Sequence, residues 1–337
     1  MTSSSDSMLK TSVVICHHIG NLVDKCLKSV ARSNNIELET IVVTDEPKRA
    51  FNANSMIRSK AMPAEKRNIG SREATGNFIA YLDDDVEVSK DALRVLLNYC
   101  KKPGVGMVFG KLHNMEHTDR FDEAGGYLTW NGFIWSRAGQ NDIDVGQYDV
   151  TEPVFAGKSA LCMIRKDVLY EVEGFDEDFE ILGEETDLAW RVWLRGYKVL
   201  YVPEANGLHA FNTKFKPAHI YYTSKRVHVN GCRNYTTMLI KNLSTFNLWI
   251  IVPIHVICWL IAGLSMILVG KFTQGFNIFK GLFQALLWLP NTLRKRKEIQ
   301  RSRSVTDRAI WPHIFRSAPR GYYLKRLGRY LQIQLHG

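Results

Sequence analysis

The chain has 337 residues, 45% hydrophobic and 23% charged, which is enough to bury a large core and excludes a disordered segment. Its net charge of +10 sits at one end: from Lys271 onward 14 Lys and Arg face two acids, whereas residues 1–270 carry 30 basic and 32 acidic residues. That excludes a whole-chain nucleic-acid binder, and six scattered cysteines without CxxC spacing exclude a zinc ribbon and a disulfide scaffold.

The polar start MTSSSDSMLK lacks the apolar run of a signal peptide, so the first 270 residues or most of them are expected to stay in the cytoplasm. TSVVICH (11–17) is β-branched and continuous, as in a buried parallel strand. A helix is predicted over 21–31, with Leu22, Cys26, Leu27 and Val30 at helical spacing. ETIVVT (39–44) is a second strand, ended by Asp45-Glu46-Pro47. A Lys- and Arg-rich helix over 64–75 closes at Gly76, and NFIAYL (77–82) is a third strand. Ser89 is expected to cap a helix carrying Leu93, Leu96 and Leu97.

Strands alternating with helices imply an α/β fold, an open sheet whose ligands bind at the carboxyl ends of the strands. Asp83-Asp84-Asp85 stand at such an end. Three adjacent carboxylates repel one another, and alone they would form a solvated turn; at a strand's carboxyl end a bound cation makes them favourable.

From Gly104 to Val154 the chain is Gly-rich and aromatic (GGYLTWNGFIW), and irregular surface structure is expected. A strand (160–165), a helix (166–172), a second helix (185–195) and a strand (198–202) follow, with a loop ending at His209. The 29 residues between Lys241 and Lys271 hold no Lys, Arg, Asp or Glu, and 246–269 is long enough to cross a hydrocarbon core of about 30 Å. The apolar run 272–289 is interrupted by Lys280 and Gln284 and either returns across the bilayer, the preferred reading, or lies in its interface. The basic run Arg294-Lys295-Arg296-Lys297 favours the cytoplasmic side. The expected layout is therefore an α/β domain over 1–215, a connecting helical segment over 216–245, a membrane helix or hairpin over 246–290 and a basic cytoplasmic tail over 291–337.

Five blocks in order, SVVICHH, VVTDEP, EKRNIGSREATGNFIAYLDDDV, GFDEDFEILGEETDLAWR and GYKVLYVPEANGLH, resemble the family-2 glycosyltransferases over about residues 11–210. The resemblance implies a GT-A fold, an open mixed sheet flanked by helices, and an inverting hexosyl- or deoxyhexosyltransferase dependent on Mn²⁺ or Mg²⁺. It implies Asp85 and His209 as metal ligands, Asp83 as a ribose or base contact, and Asp84 as a lesser one. Glu185 occupies the catalytic-base position, where the family more often has Asp, with Glu184 and Asp187 as alternatives. Asp45, Arg67 and Arg72 are the remaining nucleotide-sugar contacts. The sequence departs from the family at Cys16, where Pro is usual, and at Thr44, where Asp is usual.

The implied partners are a nucleotide-diphosphate sugar, a lipid-linked or glycan acceptor and the membrane, with no nucleic acid. A nucleotidyltransferase would also need a carboxylate-bound metal, but it leaves the Glu184–Asp187 block and the apolar tail without a purpose. A membrane-tethered binding protein with a degenerate site would have no use for Asp85, Glu185 and His209 together. A processive polymerase is disfavoured by the absence of a QxxRW-like motif.

Overall fold

The computed structural model describes residues 9–18, 20–138, 142–210 and 225–322. The chain divides into two compact units, the first spanning 1–126 and 136–210, the second 127–135 and 211–337.

The first unit begins with β1 (Thr11–His17), α1 (Leu22–Ala31), β2 (Leu38–Thr44), β3 (Ser55–Arg58), α2 (Pro63–Glu73) and β4 (Phe78–Asp83). β5 (Val86–Val88), α3 (Ala92–Cys100), β6 (Val105–Asn114) and β7 (Phe121–Glu123) follow. A two-stranded ribbon of β8 (Gly126–Leu128) and β9 (Ile134–Ser136) comes next in the chain, and its residues 127–135 belong to the second unit. The unit closes with β10 (Glu152–Pro153), β11 (Leu161–Arg165), α4 (Lys166–Glu171), α5 (Glu184–Leu194) and β12 (Lys198–His209).

The main sheet runs β10-β12-β6-β11-β4-β1-β2-β3, with β5 on β12 and β7 on β6. It is mixed: β4, β1, β2 and β3 are mutually parallel, whereas β11 is antiparallel to both β4 and β6. Alternation along β1 assigns the layers. Val13 and Ile15 join the apolar faces of α1 (Val23, Cys26, Leu27) and α3 (Leu93, Leu96) in one core. Val14 points the other way, against α2, where a Cβ on Gly70 would lie 2.4 Å from it. At the amino ends of β1 and β2, Glu39 ties the strands to the α2–β4 connection. It accepts bonds from Thr75 Oγ1 (2.7 Å), Gly76 N (3.2 Å) and Ser12, and pairs with Lys10 at 2.9 Å.

Three expectations change here. The stretch from Gly104 to Val154 is not irregular throughout, because β6 is a ten-residue, almost wholly buried strand inside the sheet. The strand after α5 does not end at Val202; it shifts register between Val202 and Asn206 and continues to His209. Ser89 is not the helix cap. Asp91 is, and the Ser89 backbone carbonyl accepts Ala92 N at 3.1 Å.

The second unit contains α6 (Lys225–Asn242), α7 (Thr245–Leu268), α8 (Phe272–Leu287), α9 (Leu289–Ser302) and α10 (Asp307–Ile314). Glycines let the helices approach closely. A Cβ on Gly275 of α8 would lie 2.7 Å from the Gly263 carbonyl of α7, and one on Gly281 would lie 2.6 Å from the Val229 carbonyl of α6. Residues 127–135 pack here too: His255 Nδ1 of α7 donates to the Asn131 carbonyl (3.0 Å), because its Nε2 accepts from Trp259 Nε1 (2.9 Å). Residues 127–135 thus group with the helices of the second unit.

The expected basic tail is also folded as far as α10. Arg296 donates to the Ile240 and Leu243 carbonyls at 2.6 Å, and Asp307 accepts from Ser244 N (2.8 Å) and Asn247 Nδ2 (2.7 Å). These bonds satisfy the end of α6 and the start of α7, where helical backbone groups lack partners of their own. Residues 216–224 and 323–337 of the expected connecting segment and tail lie outside the described residues.

Candidate active site

Register brings the acidic triplet to a histidine. Asp83 ends β4, and after two intervening residues the chain enters β5, which pairs with β12 so that Val86 stands opposite His209. Asp85 is thereby set beside His209, with Asp85 Oδ1 at 3.3 Å from His209 Nε2, and its carbonyl accepts Ala210 N at 3.1 Å. Both side chains are almost wholly buried. Asp83, Asp85 and His209 each offer a ligand atom within 4.8 Å of the others. Two carboxylates and an imidazole at this spacing are a donor set suited to Mn²⁺ or Mg²⁺ that leaves coordination places for phosphate oxygens. The residues fit a divalent cation.

The other imidazole nitrogen, His209 Nδ1, lies 2.7 Å from Asp122 Oδ2 on β7, and Lys158 Nζ donates to Asp122 Oδ1 at 2.7 Å. Burial alone would push the His209 imidazole towards neutrality, but the carboxylates of Asp85 and Asp122 outweigh it and hold its pKa up to about 10. Burial would likewise raise the Asp122 carboxyl, and Lys158 and His209 together bring it below the usual range.

Asp84 turns towards β1 and accepts His18 N at 3.1 Å. Asp45, just past β2, meets Lys66 and His18 Nδ1 (2.5 Å), and Lys66 Nζ also donates to the His17 carbonyl at 2.7 Å. Thr44, where the family usually has Asp, is tied to His17 Nδ1 at 2.8 Å.

Arg67 connects this side to the acid pair. Its guanidinium reaches Asp83 Oδ1 at 3.1 Å and Glu184 Oε1 at 2.9 Å, with the ring of Phe175 5.5 Å from its centre. Glu184 and Glu185 open α5 after Gly183, whose φ of 86° is readily adopted only by glycine. Removal from water raises the Glu185 carboxyl well above the usual range, and the neighbouring Glu184 charge raises it further. Glu184, by contrast, is paired with the Arg67 guanidinium, so the two neighbouring carboxyls stand in different environments. Asp187 is fully buried and bound to Arg191 Nε at 2.9 Å along its own helix.

Of the residues singled out in the sequence, Asp83, Asp84, Asp85, His209, Arg67, Glu184 and Glu185 thus lie in one connected group, and Asp45 stands at the end of a neighbouring strand. Arg72 does not join them: it is exposed and pairs with Glu177 at 4.0 Å. Asp187 is paired with Arg191 on its own helix. Three residues escaped the sequence reading. Lys66 stood out only as one of the basic residues of the helix over 64–75, yet it is buried. Asp122 and Lys158 carried no local signal, because the partner that gives them meaning is distant in sequence.

Residues 78–293 match the family described as Glycosyl transferase family group 2, well over half of the chain. The chain belongs to this family. Over 158 residues, 46% of its length, it is 28% identical to the pre-mycofactocin glycosyltransferase of Mycobacterium tuberculosis, covering 31% of that protein. Over 148 residues, 42% of its length, it is 27% identical to the O-antigen biosynthesis protein RfbC of Myxococcus xanthus, covering 12% of it. The chain therefore spans about a third or less of these curated relatives. Among solved structures, GalNAc-T7 with UDP, GalNAc and Mn²⁺ aligns over 70% of this chain and 48% of its own, with a TM-score of 0.54 at 17% identity. S. aureus TarS with UDP-GlcNAc aligns over 74% of this chain and 72% of its own, with a TM-score of 0.50 at 14% identity. These likenesses show the fold, and it is the GT-A arrangement expected from the sequence.

Proposed function

We propose that the chain transfers a sugar, with inversion, from a nucleotide-diphosphate donor to a lipid-linked glycan or polysaccharide acceptor at the cytoplasmic face of a membrane. The observation that carries this reading is the joining, through Arg67, of a three-ligand cation site to an acid pair at the carboxyl edge of the sheet. Asp85 and His209, with Asp83 beside them, would hold a divalent cation, which supplies Lewis-acid stabilisation of the charge developing on the leaving diphosphate. Asp45, Lys66 and Asp84 shape the nucleotide side. Glu185 takes the proton of the acceptor hydroxyl as that oxygen attacks opposite the leaving group, and Arg67 pairs with Glu184 beside it.

Uridine-diphosphate sugars are the first donors to test, since GalNAc-T7 and TarS hold UDP and UDP-GlcNAc respectively. A nucleotide sugar with Mn²⁺ is expected to raise the melting temperature, and to do so less without the cation, because a ligand bound to the folded state alone stabilises it. The same mixture with a lipid-linked glycan acceptor is expected to release nucleoside diphosphate. Donor binding without turnover across a panel of acceptors would favour the degenerate binding protein instead.

The membrane reading rests on α7. Its 24 residues give about 36 Å of helix, more than the hydrocarbon thickness of about 30 Å. Its outward residues, among them Trp249, Ile257, Leu264 and Leu268, are apolar and exposed. The bonds of Arg296 and Asp307 to the α6–α7 junction place the start of α7 and the chain beyond α8 at one polar cluster, as a hairpin requires. The protein is expected to resist carbonate extraction and to need detergent, and tags at both termini are expected to be reachable only from the cytoplasm. Release by carbonate would refute the membrane helix; an external C-terminal tag would refute only the hairpin.

A further inference from the structure

We infer that Asp122 is a positioning residue for the cation site, fixing which nitrogen of His209 faces Asp83 and Asp85, and that Lys158 anchors Asp122. The inference rests on the cation site proposed above and goes one shell beyond it.

His209 sits between two carboxylates, one on each ring nitrogen: Asp122 at 2.7 Å from Nδ1 and Asp85 at 3.3 Å from Nε2. An imidazole can serve a cation through one nitrogen while the other donates its N–H, and the donor's partner sets both tautomer and ring orientation. With Nδ1 held by Asp122, Nε2 is the nitrogen presented to Asp83 and Asp85. A buried carboxylate needs a compensating charge of its own, and Lys158 supplies it through two contacts, to Asp122 Oδ1 (2.7 Å) and to the Asp122 carbonyl (3.3 Å). Four separate stretches of chain contribute to this line: the β4–β5 turn, β7, the segment before β11 and the end of β12. The ring is thereby fixed from elements that do not belong to the ligand-bearing turn.

The neighbouring pairs do not account for the arrangement. Lys111 is bound to Asp144 and Asp149, and Arg137 to Glu152, so each of these cations has carboxylates other than Asp122. In Asp122→Asn the shape is kept, but an amide can offer either its oxygen or its NH₂ to Nδ1. In the second case Nε2 carries the hydrogen and loses the lone pair that would ligate.

The test measures Mn²⁺ binding by electron paramagnetic resonance, without nucleotide or acceptor, in the intact protein in detergent. Asp122→Asn is expected to bind Mn²⁺ about 10–100-fold more weakly, the usual effect of losing an outer partner of a metal-ligating histidine. Lys158→Met is expected to weaken it in the same direction, and Asp122→Glu to restore part of the loss. Melting temperatures separate the positioning role from unfolding. If Asp122→Asn fails to fold, Lys158→Met carries the test, since Lys158 is partly exposed. Native Mn²⁺ affinity in a folded Asp122→Asn or Lys158→Met protein would overturn the inference. His209→Ala distinguishes this from a failure of the underlying reading: if that variant also binds Mn²⁺ at native strength, the cation site itself is wrong.

Discussion

Glu185→Gln is expected to slow sugar transfer by about 10²–10⁴ while leaving nucleotide-sugar affinity near native, because the variant keeps shape and hydrogen bonding but cannot accept a proton. The structure sharpens the comparison with its neighbours. Glu184→Gln removes the charge that faces Arg67, so it should disturb both donor affinity and rate. Asp187→Asn breaks a buried pair with Arg191 and should cost melting temperature more than turnover. The pH profile gives an independent check. Removal from water and the charge of Glu184 raise the proton affinity of Glu185, so the base is protonated and inactive at pH values where an ordinary glutamate is already ionised. The acid limb of kcat/KM should therefore lie above the usual glutamate range, with rate rising as pH rises, and it should vanish in Glu185→Gln. Native transfer by this variant, with loss on substitution of a neighbour, would move the role to that neighbour.

Asp85→Ala is expected to abolish cation-dependent donor binding and to reduce turnover by on the order of 10³ or more, since Lewis-acid stabilisation is worth several kcal/mol. The fold should survive. Asp122 still faces the His209 imidazole after the substitution, so the buried ring keeps one carboxylate partner. Excess chelator should reproduce the loss in the native protein, and Mn²⁺ or Mg²⁺ should reverse it. Full transfer in excess chelator would overturn the cation's role.

The parts of this architecture that were readable beforehand are those whose causes are local. β1, β2 and β4 are short apolar runs bounded by polar turns, and the aspartates, Glu185 and His209 are recognisable from their neighbours in sequence. β6 was hidden by Gly106 and Gly110, which read as loop composition. Their reason is tertiary: a Cβ on Gly106 would lie 2.8 Å from Tyr197 and Val192, and one on Gly110 would lie 2.5 Å from the Ala205 carbonyl. The glycines mark close approach inside a packed strand. Asp122 was invisible for a similar reason, since its partner His209 stands 87 residues away and no pattern around either residue announces the other. Arg67 was noticed, but as a contact for nucleotide; its partners Asp83 and Glu184 come together only when β4 and α5 do.

The placement of residues 127–135 has a consequence for how the protein is made. This stretch leaves the ribosome between β7 and β10, in the middle of the catalytic fold, yet the groups that enclose Gly132 and Phe133 lie on α6 and α7. Domains of a nascent chain generally fold as they emerge, from the N-terminus onward. Here Phe133 and Asn131 must wait, exposed, until His255 and Trp259 have been synthesised. A chain released after Ala210 would keep every residue of the cation site and the acid pair and still present an unburied aromatic tip. Premature termination therefore yields a sticky fragment, and completion of the molecule is coupled to translation of the apolar helices.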